Sequence, residues 1–84
     1  MHITIRNPRQ RTVIGEGAAL PGENWSTAAR RIYNQEMAAD YTGIVIRNRL
    51  AEGNYEVQFA RSAGERSTAI ACDTLSETCI VWAE

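Results

Sequence analysis

The sequence contains no lysine, a single histidine and two cysteines, and each scarcity excludes a kind of site. Without lysine there is no phosphate-binding loop of the GxxxxGK[ST] type, because that loop uses the lysine to reach the phosphates. One histidine with Cys72 and Cys79 does not complete a zinc-binding pattern, and two cysteines are too few for the disulfide framework of a secreted domain. We therefore expect free thiols, no metal site and no cofactor.

Long apolar stretches are also missing. No run approaches the ~18 residues that cross a membrane, and the first residues do not have the basic and then apolar pattern of a secretory leader. We expect a cytoplasmic protein that has no membrane segment.

Charge of either sign is not in large excess. Nine basic and ten acidic residues give a net charge of -1, which excludes both a polycationic DNA binder and an acidic DNA mimic. We expect no direct sequence-specific binding of nucleic acid.

The 84 residues form one domain, 1–84, and the 44% hydrophobic content excludes disorder. A domain this small is stabilised by association, as a homodimer or on a partner, although it can also fold as a monomer.

All nine basic residues are arginines. Two explanations for the exclusive use of arginine are open. One is codon usage in a GC-rich genome, and the other is a surface that makes bidentate contacts with carboxylate or phosphate groups. The charges are unevenly placed along the chain: residues 1–50 carry seven arginines against four acids, and residues 51–84 carry two against six. Such a fold would be electrically polar, which helps to steer a partner.

The first half of the chain predicts two short strands and one helix. Residues 3–5 alternate as a half-buried strand does, residues 12–14 form a second strand, and the glycines between 15 and 22 indicate a loop. Ser26 is a suitable N-cap for a helix over residues 28–41 that ends near Gly43. Its apolar stripe is Ala29, Ile32, Tyr33 and Met37.

The second half predicts antiparallel strands. A turn at residues 51–54 places Leu50 opposite Tyr55 and Ile46 opposite Phe59 on the inner side. The next turn, 63–66, places Phe59 opposite Ile70 and Val57 opposite Cys72. Residues 73–77 then form a turn before a last strand, 78–83, whose Ile80 and Trp82 point inward. Cys79 then points outward and Cys72 inward, which makes a disulfide between them awkward.

Together these elements predict an α+β fold. It is a two-layer sandwich in which one amphipathic helix packs on an antiparallel sheet of four to six strands. No residue set argues for catalysis: His2 has no fixed partner, Cys72 belongs to the core, and the acids are scattered. We expect no enzymatic activity.

Two surfaces are candidate partner-binding sites. On the outer sheet face, the predicted register pairs Arg49 with Glu56 and Arg47 with Gln58, in a flat surface extended by small or apolar residues, namely Val45, Ala60, Ala69 and Ala71. The alternative is an ordinary solvated face with one cross-strand ion pair.

The helix offers the second surface, with Arg30, Arg31 and Asn34. Adjacent arginines on an exposed helix suit acidic or phosphate groups, and the alternative is again a solvated face.

The runs WSTAARRI (residues 25–32) and YTGIVIR (residues 41–47) resemble several small phage-encoded anti-CRISPR proteins. Those proteins combine a leading strand, a capped Ala-rich helix and further antiparallel strands, and the likeness spans about residues 12–60. It implies an inhibitor in the bacterial cytoplasm that binds a Cas subunit of the type I surveillance complex (Cascade), or its nuclease-helicase. Inhibition would be stoichiometric, by blocking target DNA or nuclease recruitment.

A second resemblance, in GNYEVQF (53–59) and DTLSE (73–77), is to small antitoxins with a partial ribonuclease-H-like sheet. In those proteins a helix follows the second element, whereas TCIVW (78–82) predicts a strand here. This resemblance implies an antitoxin-like or other small protein-binding module.

Overall fold

The computed structural model describes residues 1–62 and 72–84, and among these it describes only the backbone of residues 62 and 72–74. Within these residues, one helix and six strands are formed. In chain order they are β1 (His2–Asn7), β2 (Thr12–Ala18), α1 (Trp25–Met37), β3 (Gly43–Ala51), β4 (Asn54–Ser62), β5 (Cys72–Leu75) and β6 (Cys79–Ala83).

All strand pairs are antiparallel, and the order across the sheet is β2-β1-β6-β4-β3. β5 pairs with β4 beyond the point where β6 leaves it, so β5 and β6 occupy one position in succession. The sheet is therefore five strands wide, with α1 packed on one face. The predicted two-layer α+β fold is confirmed.

The core lies between α1 and the three central strands. Tyr33 of the helix stacks on Phe59 of β4 with ring centroids 4.2 Å apart, and Phe59 is completely buried. Burial of such apolar area is the main stabilising term in a domain of this size. The residues that form the buried cluster are Ile3, Ile5, Ala28, Ala29, Ile32, Tyr33, Val57, Phe59, Cys79 and Val81.

β2 is longer than predicted and includes the glycines that were assigned to a loop. Gly15 and Gly17 lie opposite Ile5 and Ile3 on the face that carries α1. A Cβ on Gly15 would lie 2.7 Å from Cγ of Glu36 and 3.0 Å from Cγ2 of Ile32. The glycines let the helix approach the edge of the sheet closely, and the strand continues through them.

The helix begins and ends earlier than predicted. Asn24, not Ser26, is the N-cap, and its Oδ1 accepts a hydrogen bond from the Thr27 N–H at 2.9 Å. The helix ends at Ala38, which has left-handed backbone angles, so Gly43 is the first residue of β3 rather than the helix stop. Met37 falls off the apolar stripe and is 48% exposed.

Replacing Ala38 with glycine is expected to stabilise the protein by about 1 kcal/mol, because an L-residue with a side chain is strained in the left-handed region. Ala38 has φ 49° and ψ 47°. The same change at Ala39, whose φ is not positive, is the matched control and is expected to lower stability slightly. Urea denaturation measures both. A destabilised Ala38→Gly variant would contradict the prediction.

The β3–β4 hairpin has the predicted turn but a different register. Ala51 lies opposite Asn54, as the turn at 51–54 requires, but two β-bulges in β3 then shift the pairing. Arg49, not Leu50, lies opposite Tyr55, and Ile44 replaces Ile46 opposite Phe59. The predicted register was wrong for this reason.

The strands after residue 71 also differ from the prediction. Val57 lies opposite Cys79 instead of Cys72, and residues 73–75 belong to β5 rather than to a turn. Cys79 and Val81 point inward, so Ile80 and Trp82 point outward, the reverse of the prediction. The predicted turn at 63–66, the Ile70 pairing, the outward Ala69 and Ala71 and the side chain of Cys72 lie outside the described residues.

Candidate functional site

The face of the sheet opposite α1, here called the outer face, is not covered by any described element. The strand registers arrange the side chains in the middle of this face in two rows that cross the sheet. One row is Glu16, Thr4, Trp82 and Asn54; the other is Val13, Arg6, Ile80, Glu56 and Asn48.

Trp82 lies at the centre of the outer face. It is on β6, the middle strand of the five, between Thr4 and Asn54, and it is 48% exposed. Ile80 occupies the next row on the same strand, and Val13 at the end of that row is 52% exposed. A half-exposed tryptophan with aliphatic neighbours is typical of the centre of a protein interface.

Charged and polar side chains of both signs surround this centre. Arg6 and Arg47 are exposed, and Glu16 and Glu56 lie on the same face. Arg47 Nε donates to Gln58 Oε1 at 2.7 Å, which orients the guanidinium along the sheet. A mixed polar rim around an apolar centre suits a protein surface better than the uniform negative charge of nucleic acid.

Of the predicted sheet-face residues, the structure brings Arg47, Glu56 and Gln58 together on the outer face. Arg49 does not join them. The bulge between Ile46 and Asn48 turns Arg49 to the helix side, where its guanidinium carbon lies 5.5 Å from the centre of the Tyr55 ring. Glu56 consequently lies opposite Asn48, and the predicted Arg49–Glu56 pair is wrong.

Arg31 has internal partners. Its Nε and Nη2 donate to Glu23 at 2.9 and 3.0 Å, and Nη2 also donates to the Ala18 carbonyl oxygen at 3.1 Å. The hydrogen bond from Arg31, with a second from the Leu20 N–H, lowers the pKa of Glu23. This fork ties the β2–α1 loop to the helix.

Asn34 and Arg30 contact the loop after the helix. The Asn34 amide bonds both the N–H and the carbonyl oxygen of Tyr41, at 3.0 and 2.9 Å. Arg30 Nη1 donates to the same carbonyl oxygen at 3.4 Å. The predicted helix surface is thus largely engaged in holding two loops.

Trp82 is the residue that sequence reasoning missed. The local sequence held no signal for it, because Cys79, Ile80, Val81 and Trp82 are all apolar. Cys79 and Val81 are the buried pair, and Val81 lies opposite the buried Ile5 on the neighbouring strand. Tyr33 and Phe59 stack in the space under the helix, and Ile80 and Trp82 point away from it.

Two buried groups of the described residues, the Cys79 thiol and the Tyr33 phenol, are held in their neutral forms. Burial raises the pKa of the Cys79 thiol to about 12, and burial, with the nearby Cys79, raises the pKa of Tyr33 to about 12. In residues 1–62 and 72–84 no group of three or more His, Cys, Asp or Glu side chains could hold a metal ion. Neither buried group is a nucleophile at neutral pH.

The free energy of unfolding is expected to fall as the pH rises from about 9 towards 12. The pKa values of Cys79 and Tyr33 are raised in the folded state, so both groups ionise at a lower pH in the unfolded chain than in the folded one. Ionisation therefore stabilises the unfolded chain relative to the folded state as the pH rises. Urea denaturation at pH 8, 10 and 11 measures this. Tyr33→Phe is expected to flatten the dependence, and a stability that is constant over this range would contradict it.

Within the described residues, no helix is both long and apolar enough to cross a membrane. Comparison with known proteins found no matching family model, and neither a curated protein nor a solved structure matches the chain significantly. The outer face is therefore assigned from its own chemistry.

Proposed function

We propose that the protein is a binding module that attaches to another protein through the outer face. The observation that carries this proposal is Trp82, half exposed in the middle of the outer face, which no described element covers. A monomer that exposed this residue without a function would keep a costly apolar patch in water. Covering it with a partner removes that cost.

The composition of the outer face favours a stoichiometric mode of action. It offers an aromatic anchor, aliphatic neighbours and a rim of both charges, which are the parts of a protein interface. The buried Cys79 thiol and Tyr33 phenol are not available to a substrate. The activity proposed is occlusion of a surface of the partner.

The partner we propose is a type I CRISPR-Cas surveillance complex, in the cytoplasm of a bacterial host, with one of its Cas subunits as the contact. The resemblance of residues 25–32 and 41–47 to small anti-CRISPR proteins supports this choice. A near-neutral chain with a mixed rim is suited to cover a protein surface and block target DNA or nuclease recruitment.

Mixing the purified protein with purified type I surveillance complexes tests the proposal by co-elution and by binding of target DNA. Co-elution with loss of DNA binding is expected for a blocked DNA path, and co-elution with DNA binding intact for blocked nuclease recruitment. The nuclease-helicase alone is the second bait. If neither bait co-elutes with the protein, the anti-CRISPR assignment is wrong.

A further inference from the structure

Three exposed arginines lie at the turn between β1 and β2: Arg6 near the end of β1, and Arg9 and Arg11 in the turn itself. Among the described residues, none of their guanidinium groups has a hydrogen-bond or ion-pair partner. The other arginines in that part of the chain are engaged with the protein itself; they are Arg30, Arg31, Arg47, Arg49 and Arg61. The unpartnered positive charge is thus concentrated at one turn, here called the arginine turn.

Asn7 fixes the shape of the arginine turn. Its side chain is buried, its Oδ1 accepts from the backbone N–H groups of Arg9 and Gln10 at 2.9 and 3.2 Å, and its Nδ2 donates to Glu77 Oε2 at 3.1 Å. Arg11 closes the turn with a left-handed backbone, φ 57°. A turn held in this way presents its arginines from a defined backbone, which lowers the entropy lost on binding.

The arginine turn surrounds a small cavity at one end of the outer face. The cavity has a volume of about 220 Å³ and is lined by Arg6, Asn7, Pro8, Arg11 and Ile80. Two arginines therefore meet at one opening, beside an apolar wall of proline and isoleucine. Ile80 also lies on the outer face, in the row next to that of Trp82, so the cavity is continuous with the surface around Trp82.

We propose that this cavity binds an acidic segment of the protein that covers the outer face, with an Asp or Glu carboxylate between Arg6 and Arg11. The inference rests on the proposed function, since the segment belongs to the same partner. Guanidinium groups pair with carboxylates through parallel hydrogen bonds, and the wall formed by Pro8 and Ile80 accepts the methylene groups of the acidic side chain.

The surrounding charges favour a short acidic peptide segment over a nucleic acid. Glu16 and Glu56 lie on the same face, and Glu77 is hydrogen-bonded to Asn7 at the turn itself. A phosphate backbone long enough to follow the sheet would meet these carboxylates, whereas a peptide can place one or two acids at the arginine turn and apolar residues over Trp82.

Fluorescence anisotropy with a labelled eight-residue peptide of alternating Asp and Leu tests the inference on the full chain. The matched peptide has Asn in place of Asp. We expect Arg6→Gln/Arg11→Gln to weaken binding of the Asp peptide by about tenfold or more. The Asn peptide is expected to bind neither the unmodified protein nor this variant more tightly than the other. Gln35→Glu/Met37→Glu lowers the net charge by the same amount at exposed helix positions and is expected to change binding by less than about twofold.

Equal weakening in the two double variants would overturn the inference, because net charge alone would then explain it. Tighter binding of a fifteen-residue oligothymidine at the same arginines would overturn it in favour of nucleic acid. Sedimentation of the protein alone excludes a third occupant: a dimer that Arg6→Gln/Arg11→Gln dissociates would identify a second copy and overturn the inference. If peptide binding depends on the arginine turn but no surveillance complex is captured, the acidic site is supported and only the partner proposed above is wrong.

Discussion

Replacing Trp82 with threonine is expected to weaken binding of the partner by about 100-fold while the protein stays folded. Trp82 is the largest apolar side chain on the outer face and lies at its centre, where loss of an aromatic anchor has its largest effect. Threonine retains a preference for strand, so the sheet itself is preserved. The side chain is 48% exposed, and its removal therefore takes little from the core.

Titration calorimetry against the captured partner measures this effect, with circular dichroism as the check on folding. Met37→Ala is the matched control, because Met37 is also 48% exposed but lies at the end of α1. We expect its affinity to equal that of the unmodified protein. Equal affinities for Trp82→Thr and Met37→Ala would show that the partner does not use the outer face.

Phe59→Ala is expected to leave the protein mostly unfolded at 25 °C. Phe59 is completely buried, it stacks on Tyr33 at 4.2 Å, and the Tyr41 ring centroid is 6.5 Å away. Truncation of a buried phenylalanine costs about 3–5 kcal/mol. A domain of this length has a net stability of about the same size, so one such cavity removes most of it.

The loss of near-ultraviolet circular dichroism and of a cooperative urea transition measures this outcome. Phe59→Leu conserves more volume and is expected to stay folded, with a loss of about 1–2 kcal/mol. Leu50→Ala removes an exposed apolar residue from β3 and is expected to change stability by less than about 0.5 kcal/mol. A cooperative transition in Phe59→Ala at the urea midpoint of the unmodified protein would contradict the assignment of Phe59 to the core.

The parts of the fold that follow from local pattern were predictable. The spacing of Ala29, Ile32 and Tyr33 identifies the buried stripe of the helix, and all three are buried. The turn at 51–54 is encoded by Gly53, which has φ 73°. A Cβ at Gly53 would lie 2.5 Å from the Ala83 carbonyl oxygen, so both the backbone and the packing require glycine there.

The parts that depend on distant pairing were not predictable. Each bulge in β3 moves the register by one residue, and Arg49 lies between the two, so a single shift turns it to the helix side. Nothing in the residues around Arg49 marks the bulges, which are visible only in the pairing of β3 with β4. The outer face was therefore predicted with Arg47, Glu56 and Gln58 correctly placed and without its tryptophan.

The orientation of β6 failed for a related reason. Cys79-Ile80-Val81-Trp82 has apolar residues at every position, so alternation does not identify the inner face. The prediction placed Ile80 and Trp82 inward and Cys79 outward. The decisive information is the pairing of Val81 with Ile5, a contact between strands at opposite ends of the sequence.

The pairing of β1 with β6 also determines at which stage of folding the outer face is formed. β1 and β6 are neighbours in the middle of the sheet, and Ile3 lies opposite Ala83, so the central contact joins residues almost a full chain length apart. The hairpins β1–β2 and β3–β4 can form early from local contacts, but β6 must dock between them to complete the sheet. Topologies with such high contact order fold on the order of milliseconds to seconds. Trp82 is positioned only when β6 docks, so binding competence and completion of the fold are expected to arise in one kinetic step.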